Sequence, residues 1–535
     1  MAEILDVAIV GAGVSGVYIG WRLATEGGRG GISVFEASDR VGGRLLSVEP
    51  PGIDNMVAEL GGMRILPAVQ PRIAELLKRL NKGRGHADIE TFPFPVDKPG
   101  NIAFLRGVHM RLSDFTTRPE MVPYRLGFLE RGHTAGTIIT NAIEQIVPGI
   151  TAPGLTEYQR RRMARDCSFG GKPLYQQGFW QVLLRVISGE AYQLGLDAGG
   201  YQTTLSNWNA ADAIPWYLSD FGVDPQYEGF KRGFQQVPLT LAERFQAAGG
   251  TMQHGRQLQG FNVAADNGSV TLHFAEGDPV RARRLVLAMP RRALDLVTPG
   301  SRLLQHPDVK ALVQSVTPRP LFKLFTTYAY PWWRPAGVEA GRTVTDMPVR
   351  QTYYWPTDQG KAAQPGDPAM LMASYDDGLN IGFWDGFRPK RGKGWREGAE
   401  RAPDPEYFIN KSERDGDAGQ DVPWYRYHAP RAMVAELQRQ LAMIHGLSFT
   451  PEVQEAAFRD WGDDPYGGGW NSWNIGVRSE DVIHAIAQPD PTAPVYICGE
   501  AYSDAQGWVE GALQTADLVL RRLEVAPLVS EGLGD

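Results

Sequence analysis

At 535 residues the chain is long enough for more than one domain, and 43% hydrophobic with 21% charged residues is an ordinary globular composition. The net charge of −7 gives no basis for binding nucleic acid or an anionic membrane. There is no run of about eighteen apolar residues and no basic-then-hydrophobic leader, so no membrane partner and a cytoplasmic location are the default expectations. Cys167 and Cys498 allow one disulfide at most. The nine histidines are scattered, so no metal site is expected.

The chain opens on an apolar strand, 4–10, followed at once by Gly11-Ala12-Gly13-Val14-Ser15-Gly16. A helix is expected over 14–25, then a short strand, 32–35, ending in Glu36-Ala37. Strand, glycine turn, helix, strand and acid in this order form a dinucleotide-binding fingerprint. Gly11 allows the sharp turn, Gly13 removes a side chain that would hold pyrophosphate away from backbone N–H groups, and Gly16 lets the helix approach the sheet. Glu36 suits ribose hydroxyls and disfavours a 2′-phosphate. Arg40-Val41-Gly42-Gly43-Arg44 follows. Its second glycine pair permits another close approach to a diphosphate, with Arg44 as counter-charge.

This N-terminus resembles the flavin amine oxidase superfamily. The resemblance implies FAD held by Gly11, Gly13, Ser15, Gly16, Glu36, Ala37 and Gly43, with Arg40 and Arg44 beside the diphosphate.

Further along, Gly61-Gly62-Met63-Arg64 allows close packing on something flat. Arg64 lies in an apolar segment and needs a partner, either an internal carboxylate or the carboxylate of a substrate. Gly62-Met63-Arg64 resembles the L-amino acid oxidases within the superfamily, where this arginine holds the substrate α-carboxylate. A helix follows over 69–80, and 89–110, broken by Pro93, Pro95 and Pro99, reads as short strands and turns.

The segment 124–220 is mainly helical, with helices expected over 134–146 and 173–188 and Pro148, Pro153 and Pro215 as punctuation. Such a block reads as a cap over the active site. A helix over 238–248 and strands at 252–254, 258–263, 270–274 and 283–290 follow, the last returning to the nucleotide-binding sheet.

Lys323 lies in an alternating strand, 321–328. It is either a solvent-facing edge lysine or a cavity lysine, and it resembles the family's lysine that holds a water over the flavin and assists reoxidation. The segment 345–356 resembles the one that presents a tyrosine hydroxyl to the same carboxylate as the arginine. Tyr354 is the first choice for that hydroxyl and Tyr353 the reserve. A strand is expected over 370–375, a long exposed loop over 388–419 and an amphipathic helix over 431–443. Gly467-Gly468-Gly469-Trp470 suits packing over a flat ring, and the resemblance makes Trp470 a wall residue.

The strand 495–498 ends in Gly499-Glu500, and Gly507-Trp508-Val509 leads into a helix ending near Leu523. A helix N-terminus aimed at a cofactor stabilises negative charge there. In the family, Gly-Glu binds the ribityl and pyrophosphate region. Gly507 resembles the residue whose carbonyl accepts from the substrate amine, with Trp508 the aromatic beside it. The stretch Asp504-Ala505-Gln506 has no cysteine for a flavin link, so FAD is expected to be noncovalent.

The resemblance implies an α/β fold: a Rossmann-like FAD-binding domain (1–66, 230–304, 451–527), a substrate-binding α+β domain (67–122, 305–450) and an inserted helical cap (123–229). It implies oxidative deamination of an L-amino acid by hydride transfer from Cα to flavin N5, with dioxygen as acceptor and 2-oxo acid, ammonia and hydrogen peroxide as products. The rival readings are an amine oxidase, an amide-forming oxidative decarboxylase and a nonenzymatic flavin-binding protein. A homodimer is a family expectation. The aromatic content suggests a bulky apolar substrate, whereas Asp504, Glu510 or an acid of the cap would suit a cationic one.

Overall fold

The computed structural model describes residues 4–28, 30–82, 89–222, 225–388 and 423–530. Val7, Ala8, Ile9 and Val10 are all buried, as a strand covered on both faces requires. Their strand, Leu5–Val10, runs parallel to Ile32–Phe35 on one side and to Val280–Ala288 on the other, with Thr251–Gln253 beyond Ile32–Phe35. Val280–Ala288 has two roles. Its first half pairs antiparallel with Val270–Phe274, and its second half pairs parallel with Val495–Cys498. Three distant parts of the chain thereby build one seven-stranded sheet. The helix Val14–Thr25 packs between Gln236–Ala247 and Val509–Arg522.

A second seven-stranded sheet takes the order Glu455–Asp460, Phe322–Tyr328, Ala369–Asp376, Gln351–Tyr354, Gly341–Thr345, Ile102–Leu105, Val108–Arg111. Phe322–Tyr328 is bonded on both sides and all of its residues are buried. Lys323 is therefore not an edge lysine. The two sheets with the helices around them give an α/β architecture: a Rossmann-like layer, an α+β layer and a helical cap.

The cap contains Ala135–Ile146, Glu157–Asp166, Gly189–Gly199 and Ala210–Phe221. It departs from expectation twice. The segment 173–188 is not one helix but a 3₁₀ turn, Leu174–Gln176, and a short helix, Phe179–Leu183. Gly178 between them is extended, at φ −83° and ψ 144°, and bridges to Asn209. Pro215, read as punctuation among the helices, lies inside Ala210–Phe221. Asn209 caps that helix through the Ala211 N–H, and Ile214, Trp216 and Leu218 bury around the proline. That apolar burial offsets the hydrogen bond the ring removes.

Cys167 and Cys498 are both free. Most of the expected 388–419 loop lies outside the described residues. Arg388 itself pairs with Asp385, Asp460 and Asp463. No described helix is long and apolar enough to cross a membrane.

A buried polar cluster locks the last helix to the first sheet's cover. The Tyr18 hydroxyl donates to Asp517 at 2.7 Å, and Glu510 accepts from the backbone N–H groups of Arg72 and Ile73 and from the Arg72 guanidinium. Glu510 thus caps the start of Pro71–Asn81, whose first N–H groups have no intrahelical partner. It is structural, not a receptor for a cationic substrate. Glu510→Ala is expected to lower stability to urea by about 3–5 kcal/mol, because it leaves Arg72 less well compensated in the interior. Glu510→Gln, which keeps one acceptor, is expected to lose less.

Candidate active site

One continuous cavity runs from the first glycine turn to the cap. At its nucleotide end, Gly11 takes φ +107°, and a Cβ there would sit 2.4 Å from the Ala288 carbonyl oxygen. A Cβ on Gly16 would sit 1.9 Å from the Gly11 carbonyl oxygen, so this glycine serves helix–sheet packing. Gly13 differs: a Cβ there would meet nothing nearer than the Gly43 Cα at 3.9 Å. The space belongs to the cavity. Gly13 also begins the helix Val14–Thr25 without a side-chain cap or an acid in the first turn, leaving the N–H groups and the dipole for an anion. Ser15, Gly43 and Ala37 line the same end.

Glu36 is fixed by the Ala12 N–H at 2.7 Å and by the Ser38 N–H and hydroxyl, each at 2.9 Å. Arg256, Gln257 and Leu258 complete this end. Sequence reasoning missed them, although Leu258 opens an expected strand and the other two lead into it. The Arg256 N–H donates to the Glu36 carbonyl, and its guanidinium lies over Phe274 at 4.3 Å.

Midway along, Glu500 accepts from the Asn471 N–H and Nδ2, both at 2.9 Å, and from the Gly507 N–H at 2.7 Å. It also pairs with Arg44 at 2.8 Å. These bonds place Gly499, Gly507, Trp508, Val509 and Trp470 on the cavity. Trp470 stacks on Trp216 of the cap at 5.4 Å. Val509 begins the final helix, which has no side-chain cap.

Gly62, Met63, Arg64 and Lys323 form the opposite wall. The Lys323 ammonium donates to the carbonyls of Glu59 and Gly61 and lies 5.1 Å from the centre of the Tyr375 ring. Burial pulls its pKa below that of an ordinary lysine, partly opposed by the neighbouring Glu59 carboxyl, which burial pushes upward. Arg64 is 6% exposed. Its guanidinium lies 4.0 Å over the Tyr227 ring and donates to the Tyr353 hydroxyl at 3.3 Å. No carboxylate of a described residue forms an ion pair with it, so the internal salt bridge considered from the sequence is not what fills its donors.

Two expected site residues are corrected. Tyr354 points away from the cavity. Its hydroxyl lies between Thr343 at 2.6 Å and His445 Nε2 at 2.7 Å, while His445 Nδ1 donates to the Leu441 carbonyl. Burial drops the His445 pKa to about 4, consistent with a neutral ring accepting from the tyrosine. Successive strand residues face opposite ways, so Tyr353 meets Arg64 instead. Arg40 does not line the cavity either. Its guanidinium donates to the Gly43 and Leu45 carbonyls and to Tyr466, bracing the turn rather than facing a diphosphate. Asp504 is also structural, paired with Arg165 at 2.6 Å.

The cap end carries residues that sequence reasoning did not single out as site residues: Tyr201, Thr204, Asp220, Phe221, Tyr375 and Asp377. Asp220 ends the segment read as mainly helical, and only the folded cap brings it to the cavity. Among the described residues there is no cluster of three or more potential metal ligands.

The geometry is that of a flavoprotein site on a nucleotide-binding fold, and the comparisons agree. Residues 14–385 match the model of the flavin containing amine oxidoreductase family. The chain belongs to that family. It is 27% identical to Aplysianin-A of Aplysia kurodai, over 97% of this chain and 90% of that protein. It is 21% identical to an L-amino-acid oxidase of Siganus canaliculatus, over 99% and 87% of the two chains. A solved putrescine oxidase shares the fold, with a TM-score of 0.64 at 16% identity and 98% of both chains covered. The protein binds FAD noncovalently. The open cradle at Gly13, the uncapped helix N-terminus and the fixed Glu36 fit its diphosphate and ribose. Buried Cys498 does not line the cavity.

Gly13→Val is expected to fold but to weaken FAD retention at least roughly 100-fold, measured by flavin titration of the apoprotein, because the added atoms enter the cofactor's space. Gly16→Val is expected to lower the thermal stability of the apoprotein as well, through its clash with Gly11. Equal flavin retention by Gly13→Val would place the diphosphate elsewhere.

Proposed function

We propose that the protein oxidises an L-α-amino acid to the 2-oxo acid, releasing ammonia and hydrogen peroxide. The reading is carried by Arg64, a buried guanidinium that faces the cavity, has no described ion-pair partner and sits beside the Tyr353 hydroxyl. A planar guanidinium suits a carboxylate, and a buried one binds it far more strongly than water would allow. With the carboxylate fixed there, the Gly507 carbonyl is the acceptor this reading assigns to the neutral amine, and Trp508 and Trp470 bound the space between. Bound FAD supplies the two-electron acceptor that dioxygen restores. Lys323 contributes a cation to the wall where negative charge develops on dioxygen. The likeness to an L-amino-acid oxidase across almost the whole chain supports the reading.

A second reading, oxidation of an amine without a carboxylate, is supported by the family's breadth and by the buried Asp220 carboxylate in the same cavity. Likeness to a putrescine oxidase bound to putrescine belongs on that side. Arg64 separates the two. Arg64→Met is expected to raise the amino-acid KM at least roughly 100-fold, as loss of a buried charged hydrogen-bond partner implies, and Tyr353→Phe by a smaller factor. Peroxide release from amines that exceeds that from every amino acid and survives Arg64→Met would establish the amine reading. Amide among the products in place of 2-oxo acid would mark a decarboxylating reaction, and a passive flavin carrier would show no turnover.

Lys323 gives a pH test. The cationic form exists below its pKa, so dioxygen consumption by the reduced protein is expected to slow as pH rises through a value below that of an ordinary lysine. Lys323→Met is expected to be slow throughout and to lose this pH dependence, measured by stopped-flow mixing with dioxygen.

A further inference from the structure

Among the described residues, neither Arg64 nor Asp220, both lining the cavity, has an ion-pair partner. Arg64 makes its one described hydrogen bond to Tyr353. Asp220, in the last turn of Ala210–Phe221, is 6% exposed and lines the same cavity. Its Oδ1 accepts from the Tyr227 hydroxyl at 2.9 Å, while its Oδ2 has no hydrogen-bond or ion-pair partner among the described residues. Tyr227 also carries Arg64 over its ring, so one side chain spaces the two charges apart. Asp220 and Arg64 form no ion pair with each other.

The other acids along the cavity are already engaged. Asp377 accepts from the Gln202 N–H and from the Thr203 N–H and hydroxyl. Glu36 and Glu500 are filled by the donors described above. Asp220 alone among these cavity acids keeps an oxygen free of described donors. Tyr201, Trp216 and Phe221 line the same cavity, with Tyr201 and Trp216 centred 5.6 Å and 6.1 Å from Phe221. Aromatic faces of this kind accept both a methylene stem and a cationic head.

A buried guanidinium and a buried carboxylate that line one cavity without pairing, with Tyr227 between them, form a receptor for a ligand with an anion at one end and a cation at the other. Resting on the amino-acid reading above, we propose that the substrate is an L-α-amino acid whose side chain ends in a cation: Arg64 takes the α-carboxylate and Asp220 the distal ammonium or guanidinium. The α-amine is not that cation, because it must be neutral to be oxidised by loss of a hydride from Cα. Burial raises the Asp220 carboxyl above its ordinary range, opposed by Arg64 and the Tyr227 hydrogen bond, and a bound cation favours the charged form further.

The test is peroxide release by the purified flavin-loaded protein from pairs matched in shape: L-lysine against L-norleucine, and L-arginine against L-citrulline. The decarboxylated amines cadaverine and agmatine are run alongside. The wild-type kcat/KM is expected to favour the cationic member of at least one pair by roughly 100-fold, and Asp220→Asn to cut that ratio by at least about tenfold. Asp220→Glu is expected to recover part of it. Similar constants within both pairs, or a ratio unmoved in a flavin-retaining Asp220→Asn protein, would overturn the inference and leave the amino-acid reading standing. Turnover of the amines with none of the amino acids would overturn both. The wild-type ratios decide the matter even if the variant does not fold.

Discussion

The Glu500 carboxylate joins parts of the chain that lie far apart in sequence. It accepts from the backbone and side chain of Asn471 and from the Gly507 backbone, and it pairs with Arg44. Arg44 belongs to the N-terminal glycine turns, Asn471 to the strand Trp470–Trp473, and Gly507 to the approach to the last helix. A buried carboxylate is stable only when its lone pairs are filled, so these elements are held to one geometry. The nucleotide end of the cavity and the wall that carries Gly507 and Trp470 meet at this point.

Beyond Glu500 the site is organised by incomplete charge compensation. Burial disfavours charge on Lys323 and on Glu59, and each offsets part of the other's shift. Arg64 rests on aromatic faces and one phenol, and Asp220 has one phenolic donor. Interiors tolerate such groups where they await a ligand that completes them. Aromatic packing keeps the space between them in shape: Trp216 on Trp470, and Tyr201 edge-on to Tyr375 at 5.4 Å.

The nucleotide end was legible because its chemistry is local. Gly11, Gly13, Gly16 and Glu36 lie within one strand–helix–strand unit, and each residue type follows from the turn, the diphosphate or the ribose. Lys323 was legible only as an alternative, since alternation does not say whether a strand is internal. Tyr353 and Tyr354 show the limit clearly: neighbours on a strand point opposite ways, and the choice depends on which face meets Arg64. Asp220 was not legible because its place on the cavity depends on how the cap packs, which no local pattern gives. Arg40 misled because an arginine beside a glycine turn can brace the turn's carbonyls as well as face an anion.

The central claim is that Arg64 is a carboxylate receptor. A crystal structure of the flavin-loaded protein with an unreactive aromatic carboxylate, such as 2-aminobenzoate, tests it most directly. The account predicts both carboxylate oxygens within about 3 Å of the Arg64 guanidinium, with Tyr353 beside it. A ligand bound with its carboxylate elsewhere, and Arg64 turned into an ion pair with Asp220, would contradict it.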